Sequence, residues 1–540
     1  MTGREIIRKA FRLESLPRIP WVPFVGIHGG NLIGVTAEEY LKSSDNIVSG
    51  IDRAIELYNP DGIPVIFDLQ IEAEALGCKM AWSNQNPPAV ISHPLTSEKT
   101  LNDLKIPGPD DGRIGIVLEA ARRIRLKHPE QSLYGLITGP FTLALHLLGT
   151  DIFLRMFEDE KGIKELMDFT KGVGIAMSDY FLKAGCDVIA VVDPMTSQIG
   201  PEQFRQFITD PVSDIFGFIK RNGGLSSFFV CGYAQQNIEA MCECKPDNIS
   251  IDENIPLDWV RDICLDRHIS FGGNLKLTVV LLMGSPEDCQ KHALECMELG
   301  GTRGYILAPG CDLPLNTPVD NLKAITTLVH DSYTRDVIRA MEKKPEEILL
   351  PDMKDYGKAD KVIVDIITLD SESCAPCQYM VESVKRVAPE FEGIVEWREH
   401  SIKKLDAVNF MSALLVKNIP TICIDGKIAF VSKIPPKHEL VRAIQERINE
   451  KLRLRIRMKK GEVLILGKTK KECKALEDKL KEVITELGPT VTYRIITDKN
   501  EIMSYGVVQT PSIIVASYKT KSQGTDPSIE ILKEWVKEIL

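Results

Sequence analysis

Residues 186–194 read CDVIAVVDP, and the stretch EQFRQFITDPVSDIFGFIKRN (202–222) that follows carries apolar residues at helical spacing. An apolar run that stops at Asp-Pro and leads into an amphipathic helix is one strand–helix unit of a parallel sheet, because a parallel crossover needs a helix-sized connection. The unit recurs in GIPVIFDL (62–69), LYGLITG (133–139), LSSFFVCG (225–232), NISIDE (248–253), HISFGGN (268–274) and GTRGYILAPG (301–310). Seven or eight such units in the first 340 residues predict an α/β fold of the (β/α)8 TIM-barrel type, with an open doubly wound sheet as the alternative. In a barrel the chemistry gathers at the strand ends.

Further along, MEKKPEEILLPDMKDYGKADK (341–361) is charged and Pro-containing, which predicts a linker over 341–360. Two smaller α/β units are expected beyond it, at 361–450 and 451–540. The first runs KVIVDIITL (361–369), SCAPCQYMVESVKRVAPEF (373–391), IVEWREHSI (394–402) and NIPTICIDGKIAFVS (418–432); the second runs EVLILG (462–467), KKECKALEDKLKEVITEL (470–487), VTYRIIT (491–497) and YGVVQTPSIIVAS (505–517). The basic run KLRLRIRMKK (451–460) between them reads as a solvated helix end or edge strand.

Composition narrows the function. Of 540 residues, 66 are Lys or Arg and 76 are Asp or Glu, a net charge of −10, which leaves no electrostatic footprint for nucleic acid. No apolar run approaches the ~18 residues that span a bilayer, and the first residues have no signal-peptide core. The 13 cysteines are an odd, scattered set, as in a protein of the reducing cytoplasm.

Cys374-Ala-Pro-Cys377 lies between a strand and a helix. The unpaired N–H groups of a helix start stabilise a thiolate, so Cys374 is expected to be the exposed nucleophile and Cys377 the resolving thiol. The segment resembles the thioredoxin/glutaredoxin-like family, with Ile419-Pro420 at the position of that family's cis-proline. Residues 461–540 resemble small thioredoxin-like domains, with Thr510-Pro511 at the matching site. There Lys470 takes the first cysteine position and Cys473 alone remains, which implies a structural or docking role.

Four phrases of the first 340 residues go beyond a generic α/β pattern. They are Phe67-Asp68 with IEAEALG after it, LITGPFTLALHLLG (136–149), FVCGYAQ (229–235) and LAPGCDLPLNTPVDNL (307–322). Together they resemble the uroporphyrinogen decarboxylase-like superfamily, and within it the methylcobamide:thiol methyltransferases. The resemblance implies methyl transfer between a corrinoid and a small thiol. The corrinoid would come on a separate protein or as free cobamide, since no corrinoid-binding Asp-x-His-x-x-Gly segment is present. It also implies zinc held by a His-x-Cys-Gly strand end and a later Pro-Gly-Cys; the matching positions are Phe229, Cys231 and Cys311. Phenylalanine cannot ligate, so Cys231 and Cys311 are two ligands lacking a third, for which His28 or Glu74 could substitute.

Asp68 stands near the decarboxylase aspartate and is the candidate catalytic acid. His28, Glu74, Asp193, Asn274 and Pro420 are candidate substrate contacts, although capping of the next helix is an equal reading for Asp193. His146 and the remaining barrel cysteines read as core. Decarboxylation is the alternative reaction, but PFVGIHGGNLIG (23–34) lacks the arginines that would clamp a polycarboxylate. A non-catalytic redox or binding protein is the third reading. A tethered dithiol would meet a barrel cysteine pair, or a separate thiol–disulfide exchange partner, at high effective concentration.

Overall fold

The structure is a computed structural model. It describes residues 1–96, 99–340, 356, 361–372, 374–459, 462–487, 491–504, 510–515, 519–523 and 526–537. The expected linker therefore lies outside the described residues except for Tyr356. The run 451–460 falls at the end of helix Lys437–Lys459, with nearly all of its side chains outside those described. Among the described residues no helix is long and apolar enough to cross a membrane.

Seven parallel strands form the first sheet in chain order: Gly62–Pro64, Ser132–Thr138, Val188–Val192, Leu225–Val230, Asn248–Ile251, Ser270–Leu275 and Tyr305–Pro309. These are the seven runs read from the sequence. The eighth staves the barrel with little regular pairing. Trp21 bridges Leu307 in parallel, Val22 N–H donates to Leu307 O at 3.0 Å, and on the other side Asp61 N–H donates to Trp21 O at 2.9 Å. The curled sheet is thus a TIM-type barrel.

Alternation along each strand divides the core in two. Tyr134, Leu136, Val188, Ala190, Val192, Phe229, Ile306 and Ala308 fill the barrel interior, while Ile137, Ile189, Val191 and Leu307 pack outward into the layer with the helices. Inside, the Phe229 ring stands edge-on to Phe24 and Phe67, with centroids 5.7 and 5.8 Å away.

Two four-stranded sheets follow, with the same topology. The first is ordered Val395–Ser401, Val362–Thr368, Thr421–Ile424, Lys427–Val431; the second Thr492–Ile496, Glu462–Leu466, Ser512–Val515, Lys519–Gln523. In each, the first strand of the module is antiparallel to the third. Ile419–Pro420 and Thr510–Pro511 are both cis, as expected. Cys473 is fully buried in its module's core with Leu476 and Leu480, which accounts for a cysteine there without thiol chemistry.

The chain forms two compact units. One contains the barrel together with residues 364–389 and 397–436, so the dithiol segment packs as one body with the barrel; the other is built mainly of residues 437–540.

Candidate functional site

Strand Leu225–Val230 places Phe229 in the barrel interior, and Cys231, two residues on, reaches the mouth on the same side. Cys311 follows strand Tyr305–Pro309 in the loop that meets the segment after Trp21. That loop is held by Asp312, whose Oδ1 accepts the Gly26 N–H at 2.9 Å. A Cβ at Gly26 would fall 2.1 Å from this oxygen, so only glycine permits the approach. The Cys231 and Cys311 side chains are neighbours; the Cys311 sulfur and burial push the Cys231 thiol well up.

Helix Ala375–Val387 begins at Cys374. Its module closes over the barrel mouth, and the resulting cavity of about 1030 Å³, partly open to solvent, is lined by Cys231, Cys311, Cys374 and Cys377. Of the chain's cysteines, the three that are not buried are Cys231, Cys311 and Cys374. All three face this one space.

Cys374 differs from its sequence expectation. It is half-buried rather than exposed, and its thiol is pushed well up, first by contact with Cys377 and then by burial. The helix start does favour a thiolate, but a neighbouring sulfur and an apolar wall outweigh it. Cys377 is fully buried one turn in, as a resolving thiol would be. Pro420 lines the cavity beside the dithiol.

The other candidates are held elsewhere. The Asp68 carboxylate is buried in an ion pair with Arg113, whose Nη1 donates to Oδ2 at 2.5 Å and whose Nε donates to Glu74 at 2.6 Å. Neither acid lines the cavity. His28 is buried between Tyr58 Oη, 2.8 Å from Nε2, and Leu315 O, 3.1 Å from Nδ1; burial lowers its pKa to about 4. Asp193 caps helix Pro140–Leu148 by accepting the N–H groups of Phe141 and Thr142 at 3.0 and 2.8 Å, and burial raises its pKa to about 6. Asn274 donates to the carbonyls of Asp252 and Ile255, which fixes the loop after strand Asn248–Ile251.

Residues not read as candidates take their place. Asp252, near the end of the run NISIDE (248–253), lines the cavity with Glu253 and Asp312. Burial, and then the charge of Glu253, raise Asp252 to about 8. Lys403 supplies the cation among the described lining residues, with Nζ 2.7 Å from Asp370. Asp312 had a signal, since it follows Cys311 directly. Lys403 had none, because only the docking of the module brings it to the barrel.

The donor set does not fit the zinc centre of the thiol methyltransferases. Phe229 packs among aromatic rings where the third ligand would stand, and the described residues contain no group of three His, Cys, Asp or Glu arranged to hold a metal. The candidate substitutes, His28 and Glu74, are committed to Tyr58 and Arg113. Metal analysis of the purified protein is expected to find zinc well below one equivalent, and F229H is expected to raise it. Stoichiometric zinc lost on Cys231→Ser would contradict this.

Comparison with known proteins agrees with the barrel. Methylcobamide:CoM methyltransferase MtbA of Methanosarcina acetivorans is 26% identical over 329 residues, which is 60% of this chain and 96% of that protein. MtaA of Methanosarcina barkeri is 27% identical over 285 residues, 52% and 82% of the two chains. A uroporphyrinogen decarboxylase of Anaeromyxobacter sp. is 23% identical over 305 residues, 54% and 86%. A solved methyltransferase from Methanosarcina mazei shares the fold with a TM-score of 0.57 and 23% identity, covering 63% of this chain and all of that one. Residues 461–537 match the thioredoxin domain, and residues 2–332 match the pattern described as Uroporphyrinogen decarboxylase (URO-D). Barrel, strand-end loops and family pattern coincide, and the chain belongs to the uroporphyrinogen decarboxylase family.

Proposed function

We propose that this is a corrinoid-dependent methyltransferase that moves a methyl group between a methylated corrinoid and a small thiol, with a fused dithiol redox module over 361–450. The observation that carries this reading is the neighbouring pair Cys231 and Cys311 at two strand ends of a largely apolar barrel mouth. The methylated corrinoid, brought by a partner protein or as free cobamide, supplies the methyl group as a cation equivalent and keeps the bonding electron pair on cobalt. The acceptor thiol must lose its proton, and Asp252 is the base within the cavity: its raised pKa of about 8 matches a thiol. The apolar wall excludes water from the attacking sulfur. A reducing compartment such as the cytoplasm keeps the four thiols available.

Methylcobalamin incubated with the protein and a set of aliphatic thiols tests this through loss of the cobalt–methyl absorbance and the mass of the thioether. Transfer is expected, and D252N is expected to slow it by about 10²-fold, the lower end of a general base's contribution. An unchanged rate in D252N removes Asp252 from the mechanism, and no transfer with any thiol removes the reading.

Decarboxylation is the weaker reading. The cavity presents Asp252, Glu253 and Asp312 with no arginine among its described lining residues, a poor receptor for a polycarboxylate. Coproporphyrinogen formation from uroporphyrinogen would reverse the order. A barrel that only binds is favoured by Phe229 alone.

A further inference from the structure

The module carrying the dithiol does not hold it out to other proteins. Tyr379, two residues past Cys377, is fully buried, its hydroxyl 3.2 Å from Nδ1 of His146 and its ring 5.9 Å from that of His93. Gln378 Nε2 donates to Val90 O at 2.6 Å, Asn86 Nδ2 donates to Glu372 at 2.7 Å, and Ile434 N–H donates to Gln198 at 3.0 Å. These contacts ring the mouth and leave the cavity as the space onto which Cys374 opens.

Within it the sulfurs form two facing pairs. Cys231 adjoins Cys311 and Cys374 adjoins Cys377, while the charge of Cys374 acts on Cys231 and that of Cys311 acts on Cys374. Both barrel thiols therefore face the dithiol across the one cavity that all four line.

We propose that the Cys231/Cys311 pair is the in-chain substrate of the Cys374/Cys377 dithiol. When the barrel pair is a disulfide, the Cys374 thiolate attacks one of its two sulfurs. The mixed disulfide with Cys374 forms, the Cys231–Cys311 bond breaks, and the other barrel sulfur leaves with the electron pair and takes a proton. Cys377 then attacks Cys374, which releases the attacked barrel sulfur as a thiolate that is protonated in turn. Two electrons and two protons pass from the dithiol to the barrel pair, and the chain ends with a Cys374–Cys377 disulfide. The barrel disulfide arises when the pair reduces an external disulfide, RSSR, to two RSH; an external dithiol returns Cys374 and Cys377 to thiols. The attack needs only the four sulfurs around one cavity, so it stands apart from the methyl-transfer reading.

To test this, full-length protein is reduced, freed of reductant, treated with one equivalent of 2-hydroxyethyl disulfide, quenched in acid at intervals and mapped by mass spectrometry. In C377S, a bond from Cys374 to Cys311 or Cys231 is expected to exceed the Cys374–mercaptoethanol adduct by about tenfold, because a tethered thiol acts at millimolar effective concentration. The unsubstituted protein keeps the test decisive if that variant does not fold. There the Cys231–Cys311 bond is expected to decay as Cys374–Cys377 grows, at a rate independent of protein concentration. In C374S the barrel disulfide is expected to persist. A Cys374 adduct with neither Cys231 nor Cys311 in C377S, two disulfides that form independently, or a rate that scales with protein concentration would each overturn the proposal. The readout is a disulfide map, so absent methyl transfer leaves it unaffected.

Discussion

Replacing Arg113 with methionine is expected to destabilise the barrel by about 3–5 kcal/mol, the range for removing one partner of a buried ion pair. Arg113 is 6% exposed and its guanidinium reaches both Asp68 and Glu74. Its carbon Cζ also lies 4.8 Å from the centroid of the Trp82 ring. Methionine fills much of the volume but leaves the Asp68 carboxylate desolvated without its cation. Because that uncompensated charge carries most of the loss, a second change, Asp68→Leu, is expected to restore part of it. Urea unfolding of the single and double variants measures both. A single variant within about 1 kcal/mol of the parent would mean that Asp68 is not held by this pair.

Tyr379→Ala is expected to cost about 3–5 kcal/mol of module docking, as for other buried aromatics cut to alanine. Beyond stability, the change frees the dithiol. Iodoacetamide labelling of Cys374, slow in the parent because the thiol is shielded and pushed up, is expected to become the fastest in the chain. Unchanged labelling would show that the interface does not depend on this ring. The same contact is acid-sensitive. Burial, then the charge of His93, lower the His146 pKa from 6.5 to about 3. The unfolded or undocked state binds the proton first, so docking stability is lost as pH falls from 6.5 toward 3.

Much of the barrel is legible in the sequence because each strand is a short apolar run stopped by glycine or a polar residue. The closing stave is not. LPRIPWVPF (16–24) contains three prolines that remove ladder N–H groups, and it bonds through the few residues between them. The dithiol and its cis-proline are local features and were readable. The four-cysteine cavity is not local, since Lys403 and Cys374 meet Cys311 only through docking. Strand-end polarity also misleads: Asp193 and Asn274 stand where chemistry is expected, yet each satisfies buried backbone groups, which a sequence does not separate from catalysis. For Cys374, position at a helix start was visible and the neighbouring sulfur was not.

The stave at Trp21 bears on how the chain is made. Its partner is Leu307, so the barrel stays an open sheet on the ribosome until the last strand has emerged. At ~5–20 residues per second that wait is roughly fifteen to sixty seconds. For that interval the stave at Trp21 is an unpaired edge on the side that later meets Leu307, the kind that pairs with other nascent chains. The dithiol segment is synthesised later still and meets a barrel that has already closed. Newly made protein therefore passes through a stage in which Cys231 and Cys311 are complete but uncovered, and crowding or slowed translation at this stage exposes them to oxidants before their own reductant arrives.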